Sequence, residues 1–259
     1  MSVERVSDPE AVAPLFEGWP ETLIRSALDG CMGCAYANPA RTAAQIVSGD
    51  FVFFAGNAAC ADAYALVAHI PPAFTAGTLL MVPRDAAWGA LIRNAFGSRA
   101  VPDERYAFRR DVYCFDPVKL KGFQTALPPG VLLHPLDGPL YRAALTEHWS
   151  RDLVSQFADE TDYLTRGLGF MALAGGEPVA GASSYVVCHG GLEIEIDTRA
   201  DYRRQGLALA CSAALIQASL QRGLFPSWDA ANLASVALAE KLGYVLDHAY
   251  PIYRVTILP

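Results

Sequence analysis

Between residues 193 and 197 charge and bulk alternate: Glu193, Glu195 and Asp197 are separated by Ile194 and Ile196, the period of two of a half-buried strand. A turn through Arg199, Ala200 and Asp201 follows. Then Arg203-Arg204-Gln205-Gly206-Leu207-Ala208 opens an apolar helix that runs to about residue 222. Around this unit the pattern predicts strands at 131–134, 169–174, 179–188, 225–229 and 249–258, and helices at 139–148, 159–167 and 233–242. Gly175-Gly176 and His189-Gly190 supply turns.

The first half alternates as well. Helical spacing fills the first thirty residues, with Pro20 at a helix start and Gly30 at its end. A strand at 32–37, a link or short helix at 39–47 and a buried aromatic strand at 49–56 come next. A helix at 60–67, a strand at 78–82, a helix at 85–96 and a strand at 105–115 complete an open α/β layer. The stretch 117–130, with Pro128-Pro129-Gly130, reads as a linker. It divides the chain into an N-terminal α/β domain, 1–128, and a second domain, 129–259, as 259 residues would suggest.

Composition narrows the functions. Hydrophobic residues make up 53% and charged ones 18%, enough apolar material for folded cores. The net charge is -7, with -2 in residues 1–128 and -5 in 129–259, which argues against nucleic acid as a partner and suits a cationic amine. Within the acidic half Arg199, Arg203 and Arg204 form the basic cluster. The first residues are polar rather than an apolar leader. The longest uncharged stretch, 63–83, carries His69, Pro71-Pro72 and Gly77, so no membrane span is expected. Of six cysteines only Cys31 and Cys34 form C-x-x-C, without a second ligand pair. No metal is expected, and reduced thiols fit a cytoplasmic protein.

A strand, a short turn and a helix opening on small residues make an anion site, because free N–H groups and the positive end of the helix dipole point outward there. The run Arg203-x-x-Gly206-x-Ala208 resembles the acyl-CoA pyrophosphate loop of the GNAT superfamily of N-acetyltransferases. Downstream, 228–235 leads into Leu238-Ala239-Glu240-Lys241-Leu242-Gly243-Tyr244, which resembles the segment closing the CoA site in that superfamily. In the first half, Met32-Gly33 followed by Gly49-Asp50-Phe51-Val52-Phe53-Phe54-Ala55-Gly56 is similar to a GNAT subfamily that includes zwittermicin A resistance proteins. The resemblance implies a C-terminal GNAT fold, a mixed twisted sheet with helices on both faces, preceded by a smaller α/β domain.

It also implies roles. Acetyl-CoA would be the cosubstrate and a primary amine of a small molecule, an antibiotic or metabolite, the acceptor; a homodimer is left open. Ile196, Asp197 and Thr198 would lie beside the pantetheine and acetyl group. Arg204, Gln205, Gly206, Leu207 and Ala208 would give N–H groups to the pyrophosphate, with Arg203 bracing the loop. Asn232 either touches the CoA arm or caps the following helix, and Ser235 belongs to the same segment. Glu195 and Glu193, on one face of the strand, and Asp229 are the candidate catalytic bases, with a structural carboxylate pair as the alternative. Many superfamily members carry a tyrosine where this chain has Ala239, so the usual proton donor to the departing thiolate is missing; Ser235 and Tyr244 are the nearby substitutes. An N–H near Thr198 would hold the oxyanion, and Ser183-Ser184-Tyr185 would flank the acceptor. Acetylation of a protein amino group and a non-catalytic acyl-CoA-binding module are the rival functions.

Overall fold

The computed structural model describes residues 3–72 and 74–258. In chain order the elements are β1 (Glu4–Arg5), α1 (Thr22–Leu28), β2 (Cys34–Ala37), β3 (Ala43–Ser48), β4 (Phe51–Gly56), α2 (Ala63–Ala68) and β5 (Gly77–Pro83). Next come α3 (Ala86–Phe96), β6 (Ala100–Phe108), α4 (Pro117–Thr125), β7 (Val131–Pro135), α5 (Gly138–Thr146) and α6 (Glu160–Arg166). The chain ends with β8 (Gly169–Ala174), β9 (Glu177–Cys188), β10 (Gly191–Thr198), α7 (Leu207–Gln221), β11 (Phe225–Ser227), β12 (Asp229–Ala230), α8 (Leu233–Leu242) and β13 (Leu246–Ile257).

Two compact units result. One holds the chain up to Arg105 together with the segment from Ala249, and the other runs from Tyr106 to His248. The division falls inside β6 and β13, whereas the expected boundary at 128/129 lies between α4 and β7. The expected linker is partly helical. Asp116 caps α4 by accepting from Val118 N (2.8 Å) and Lys119 N (3.2 Å), with Pro117 in the first turn, so Asp-Pro acts as a helix start.

In the first unit β1, β2, β3, β4, β5 and β13 lie side by side, antiparallel except for the parallel β4–β5 pair. The segment 39–47 is not a helix. Asn38 Oδ1 accepts from Thr42 N (2.9 Å) and Ala43 N (3.1 Å), which folds a turn and starts β3 as a fully buried central strand. Buried Trp88 of α3 stacks on Phe54 with ring centroids 5.6 Å apart, and its indole donates to Gly56 O at 3.2 Å.

The second unit holds a sheet in the order β11-β10-β9-β8-β7, antiparallel except for β10–β11. Helix α7 packs on β8 to β11, and α4 packs on α7. Between Glu193 and Ile194 the β9–β10 register slips, leaving Tyr185 of β9 as the extra residue, a bulge that raises the local twist. Strand β11 stops at Ser227, and the next strand, β12, pairs instead with Ala107 and Tyr106 of β6. The expected strand at 225–229 is therefore two strands with different neighbours.

Gly56 has φ +90°, and a Cβ there would collide with the Thr42 carbonyl. Gly56→Ala is expected to lower stability by about 1–3 kcal/mol, read from urea unfolding. An unshifted midpoint would show that the β3–β4 pair relaxes around the methyl.

Candidate active site

The β10–β11 ladder pairs Gly191 with Phe225, Leu192 with Pro226 and Glu193 with Ser227, and goes no further. Past that point β10 continues to Thr198, and its last residues, Ile196, Asp197 and Thr198, line a cavity of about 670 Å³. Across the cavity lies one face of α8, made by Ala234, Ser235, Leu238 and Lys241 at helical spacing, with Trp228 beside it. The floor is the mouth of α7: Tyr202, Arg203, Arg204 and Gly206 through Leu209.

The mouth has the backbone that an anion site needs. Arg204 and Gly206 both take positive φ, 62° and 81°, which turns the chain into α7. A Cβ on Gly206 would meet nothing within 4 Å, so glycine is required by the dihedral, and the space over the backbone is open. The first N–H groups of a 15-residue helix have no intrahelical acceptors and face that space. Arg203 Nε donates to Thr198 O (3.2 Å), tying the loop to the end of β10. Arg199 is occupied elsewhere, in a two-pronged pair with Asp201 at 2.8 and 3.0 Å. The cations along the cavity are thus Arg203, Arg204 and Lys241.

Of the residues expected to hold a cofactor, Ile196, Asp197, Thr198, Arg203, Arg204, Gly206, Leu207, Ala208 and Ser235 line the cavity. Gln205 is exposed, with its side-chain amide donating to Asp201 O at 3.4 Å. Asn232 caps α8: its Oδ1 accepts from Ser235 N at 3.0 Å. Of the N–H groups near Thr198 expected to hold the oxyanion, that of Thr198 itself is taken by Asp197 Oδ1 at 2.7 Å. Tyr202 and Leu209 also line the cavity without having been given a role by sequence, while Trp228, Ala234, Leu238 and Lys241 belong to the segment expected to close the CoA site, without individual roles. The spacing 234/238/241 marks a helical face, but nothing local shows which face of α8 meets the cavity.

The carboxylates differ in depth. Glu193 is 4% exposed and its charge acts on the buried Tyr244. Glu195 is half-buried opposite Ser183, and Asp229 is half-buried in β12 opposite Ala107. Asp197 lines the cavity, half-buried, and its carboxyl is raised above the usual range. Burial is the main cause. Nearby Asp152 adds to it, while the Thr198 N–H, Arg203 and His148 oppose it.

The structure places Ala239, Tyr244 and Ser235 differently with respect to the cavity. Ala239 is wholly buried, turned away from the face that meets the cavity. Tyr244 donates its hydroxyl to Pro226 O at 2.7 Å, and its pKa is pushed up by burial and by the Glu193 charge, so it is structural. Ser235 Oγ accepts from Trp228 Nε1 at 3.1 Å, which leaves the serine proton to donate toward the cavity. Ser183 and Ser184 are spent inside the fold, on Tyr163 OH (2.7 Å) and Leu168 N (3.0 Å).

A model of the GNAT acetyltransferase family matches residues 13–253. The chain belongs to the GNAT acetyltransferase family. A GCN5-related N-acetyltransferase-like protein from Streptococcus suis 89/1591 is similar in structure, with a TM-score of 0.87 and 41% identity over 96% of this chain and 98% of that one. YdfB of Bacillus subtilis (strain 168), described as an uncharacterized N-acetyltransferase, is 32% identical over 160 residues. That match covers 58% of this GNAT chain and 58% of the length of that curated relative. A tandem GNAT protein from the clavulanic acid biosynthesis pathway shares the fold, with a TM-score of 0.57 and 13% identity over 100% of this chain and 99% of the other. No helix of this GNAT protein, among the described residues, is long and apolar enough to cross a membrane.

Tyr244→Phe removes the donor to the buried Pro226 carbonyl and is expected to cost about 1–3 kcal/mol, measured by urea unfolding. An unchanged midpoint would show that the carbonyl has another donor.

Proposed function

We propose that the protein transfers the acetyl group of acetyl-CoA to a primary amine of a small molecule, by direct attack of the amine on the thioester. The observation that carries this reading is the cavity itself, which joins the end of β10 beyond its β11 ladder to the mouth of α7. The first offers backbone groups along an extended chain, and the second offers N–H groups to an anion. Residues around both fit an acyl-CoA: three cations for its phosphates and an apolar wall from Leu207, Leu209 and Leu238 for its arm.

Acetyl-CoA supplies an activated acetyl group. Arg204, Gln205, Gly206, Leu207 and Ala208 hold its pyrophosphate by backbone N–H groups, and Arg203, held by Thr198 O, keeps the loop in register. Ile196, Asp197 and Thr198 lie along the pantetheine arm, with Asn232 positioning Ser235 through its N–H. Ser235, oriented by Trp228, donates a hydrogen bond to the departing sulfur in place of the missing tyrosine. A hydroxyl is a far weaker acid than a thiol, so this bond stabilises the thiolate rather than protonating it. The expected bases Glu195 and Glu193 share one face of β10, while Asp229 lies on β12 beside Trp228. A carboxylate of the β10 face takes the ammonium proton. The six free cysteines fit the cytoplasm as the place of action. The acceptor is an antibiotic or metabolite amine, in line with the resemblance carried by Met32-Gly33 and residues 49–56.

Calorimetric titration tests the reading. The wild type should bind acetyl-CoA, and Gly206→Glu, which puts a charged side chain at a positive φ beneath the phosphates, should abolish binding without unfolding the chain. Absence of binding by folded wild type, or equal binding by the variant, would remove the acetyltransferase reading.

A further inference from the structure

Period-two alternation along β10 points Glu193, Glu195 and Asp197 to the same side of the sheet. The bulge at this place inserts its extra residue into β9, so the alternation of β10 is unbroken. What covers this side can be read from Gly181, the residue paired directly with Asp197. Residues directly opposite on neighbouring strands present their side chains to the same face. A Cβ on Gly181 would lie 2.6 Å from Leu153 Cδ1, so the missing side chain is what lets the turn Arg151–Leu153 settle onto β9 and β10. That turn brings Asp152 into electrostatic reach of Asp197, as the end of α5 does His148.

The three carboxylates are therefore not equivalent. Glu193 lies deep against Tyr244, and Glu195 is not among the residues lining the cavity. Asp197 is on the stretch past the β11 ladder and lines the cavity. Its Oδ1 is fixed by the Thr198 N–H at 2.7 Å, and its Oδ2 takes no further hydrogen bond from a described residue. One oxygen is thus held rigidly while the other is presented to whatever enters.

We propose that Asp197 is the catalytic base, receiving the acceptor's ammonium at Oδ2 and taking its proton. This rests on the acetyl-CoA reading above. The ammonium gives one proton to the carboxylate and becomes a neutral amine. The nitrogen lone pair then forms the C–N bond at the thioester carbonyl carbon, and the C–S bond breaks with its electron pair leaving on sulfur. The second proton lost by nitrogen goes to the thiolate, giving the free thiol, and Asp197 returns its proton to solvent. The charged groups facing Asp197 are Arg203 from the α7 loop, Asp152 from the 151–153 turn and His148 after α5. The raised affinity of this carboxyl for a proton suits the role, since a base should titrate near the working pH.

The test uses two nucleophiles. n-Butylamine is almost entirely protonated at pH 7.5 and needs a base; hydroxylamine is already neutral and does not. Asp197→Asn keeps the backbone that lies along the pantetheine arm, so calorimetry should still detect acetyl-CoA binding, which also reports that it folds. Its thiol release with n-butylamine should fall by about 10²–10⁴-fold, and with hydroxylamine by less than tenfold. Equal losses with both nucleophiles would make Asp197 a positioning residue, and no loss with either would remove it from catalysis; both overturn the proposal. A wild type that binds acetyl-CoA yet releases thiol with neither nucleophile overturns it too. A wild type that does not bind acetyl-CoA instead overturns the reading beneath it.

Discussion

Everything at the site depends on where β10 loses its parallel neighbour. A ladder that ran the full length of β10 would bury its edge, and no extended ligand could lie along it. The ladder ends at Glu193 and Ser227, and two local features accompany that end. The bulge opposite Glu193 and Ile194 twists β10 at that point, and Pro226, which has no N–H, is tolerated only because β11 is the edge of its sheet. Once β11 has turned away, β12 finds new partners in β6, and the gap is kept open by Trp228 and the α8 face rather than by strain.

The wall opposite is built to stay there. Tyr244 follows the αL cap of α8 at Gly243 and reaches back to the Pro226 carbonyl, while its ring meets Phe108, Phe115 and Trp228. The same tryptophan orients Ser235. A hydroxyl in the core and a hydroxyl in the cavity are thus fixed by one aromatic cluster. This explains how the fold accommodates alanine at 239: the residue is packed against the core and leaves no hole facing the cavity.

Local chemistry made some of this legible in the sequence. The alternation 193–197 and the small residues at 206 and 208 report a strand and a helix mouth, because each depends on nearest neighbours and on φ. The Asn232 cap was legible for the same reason, as one of two readings. Longer-range choices were not. Whether residues 39–47 make a strand depended on two hydrogen bonds from Asn38, and whether 117–125 continues a linker depended on the Asp116 cap. The relative depth of Glu193 and Asp197 is set by where β11 stops, which no property of β10 reveals. The Met32-Gly33 and Gly49 to Gly56 motif has a local cause as well: Gly33, Gly49 and Gly56 all sit at positive φ around the β2–β3–β4 turns. Those glycines hold the turns of the first unit.

Charge gives the site its direction. The net charge is -7, yet Arg203, Arg204 and Lys241 line one cavity, where α7 begins and α8 ends. The carboxylates of β10 and the nearby Asp152 lie on the side covered by the 151–153 turn. The last residues of β10 thus stand between the cations at the α7 mouth and the carboxyl of Asp152, with Asp197 feeling both. Thr198 spends its N–H on Asp197 and its C=O on Arg203, so it links that carboxylate to the α7 mouth. Movement of the α7 mouth would therefore be felt at Asp197.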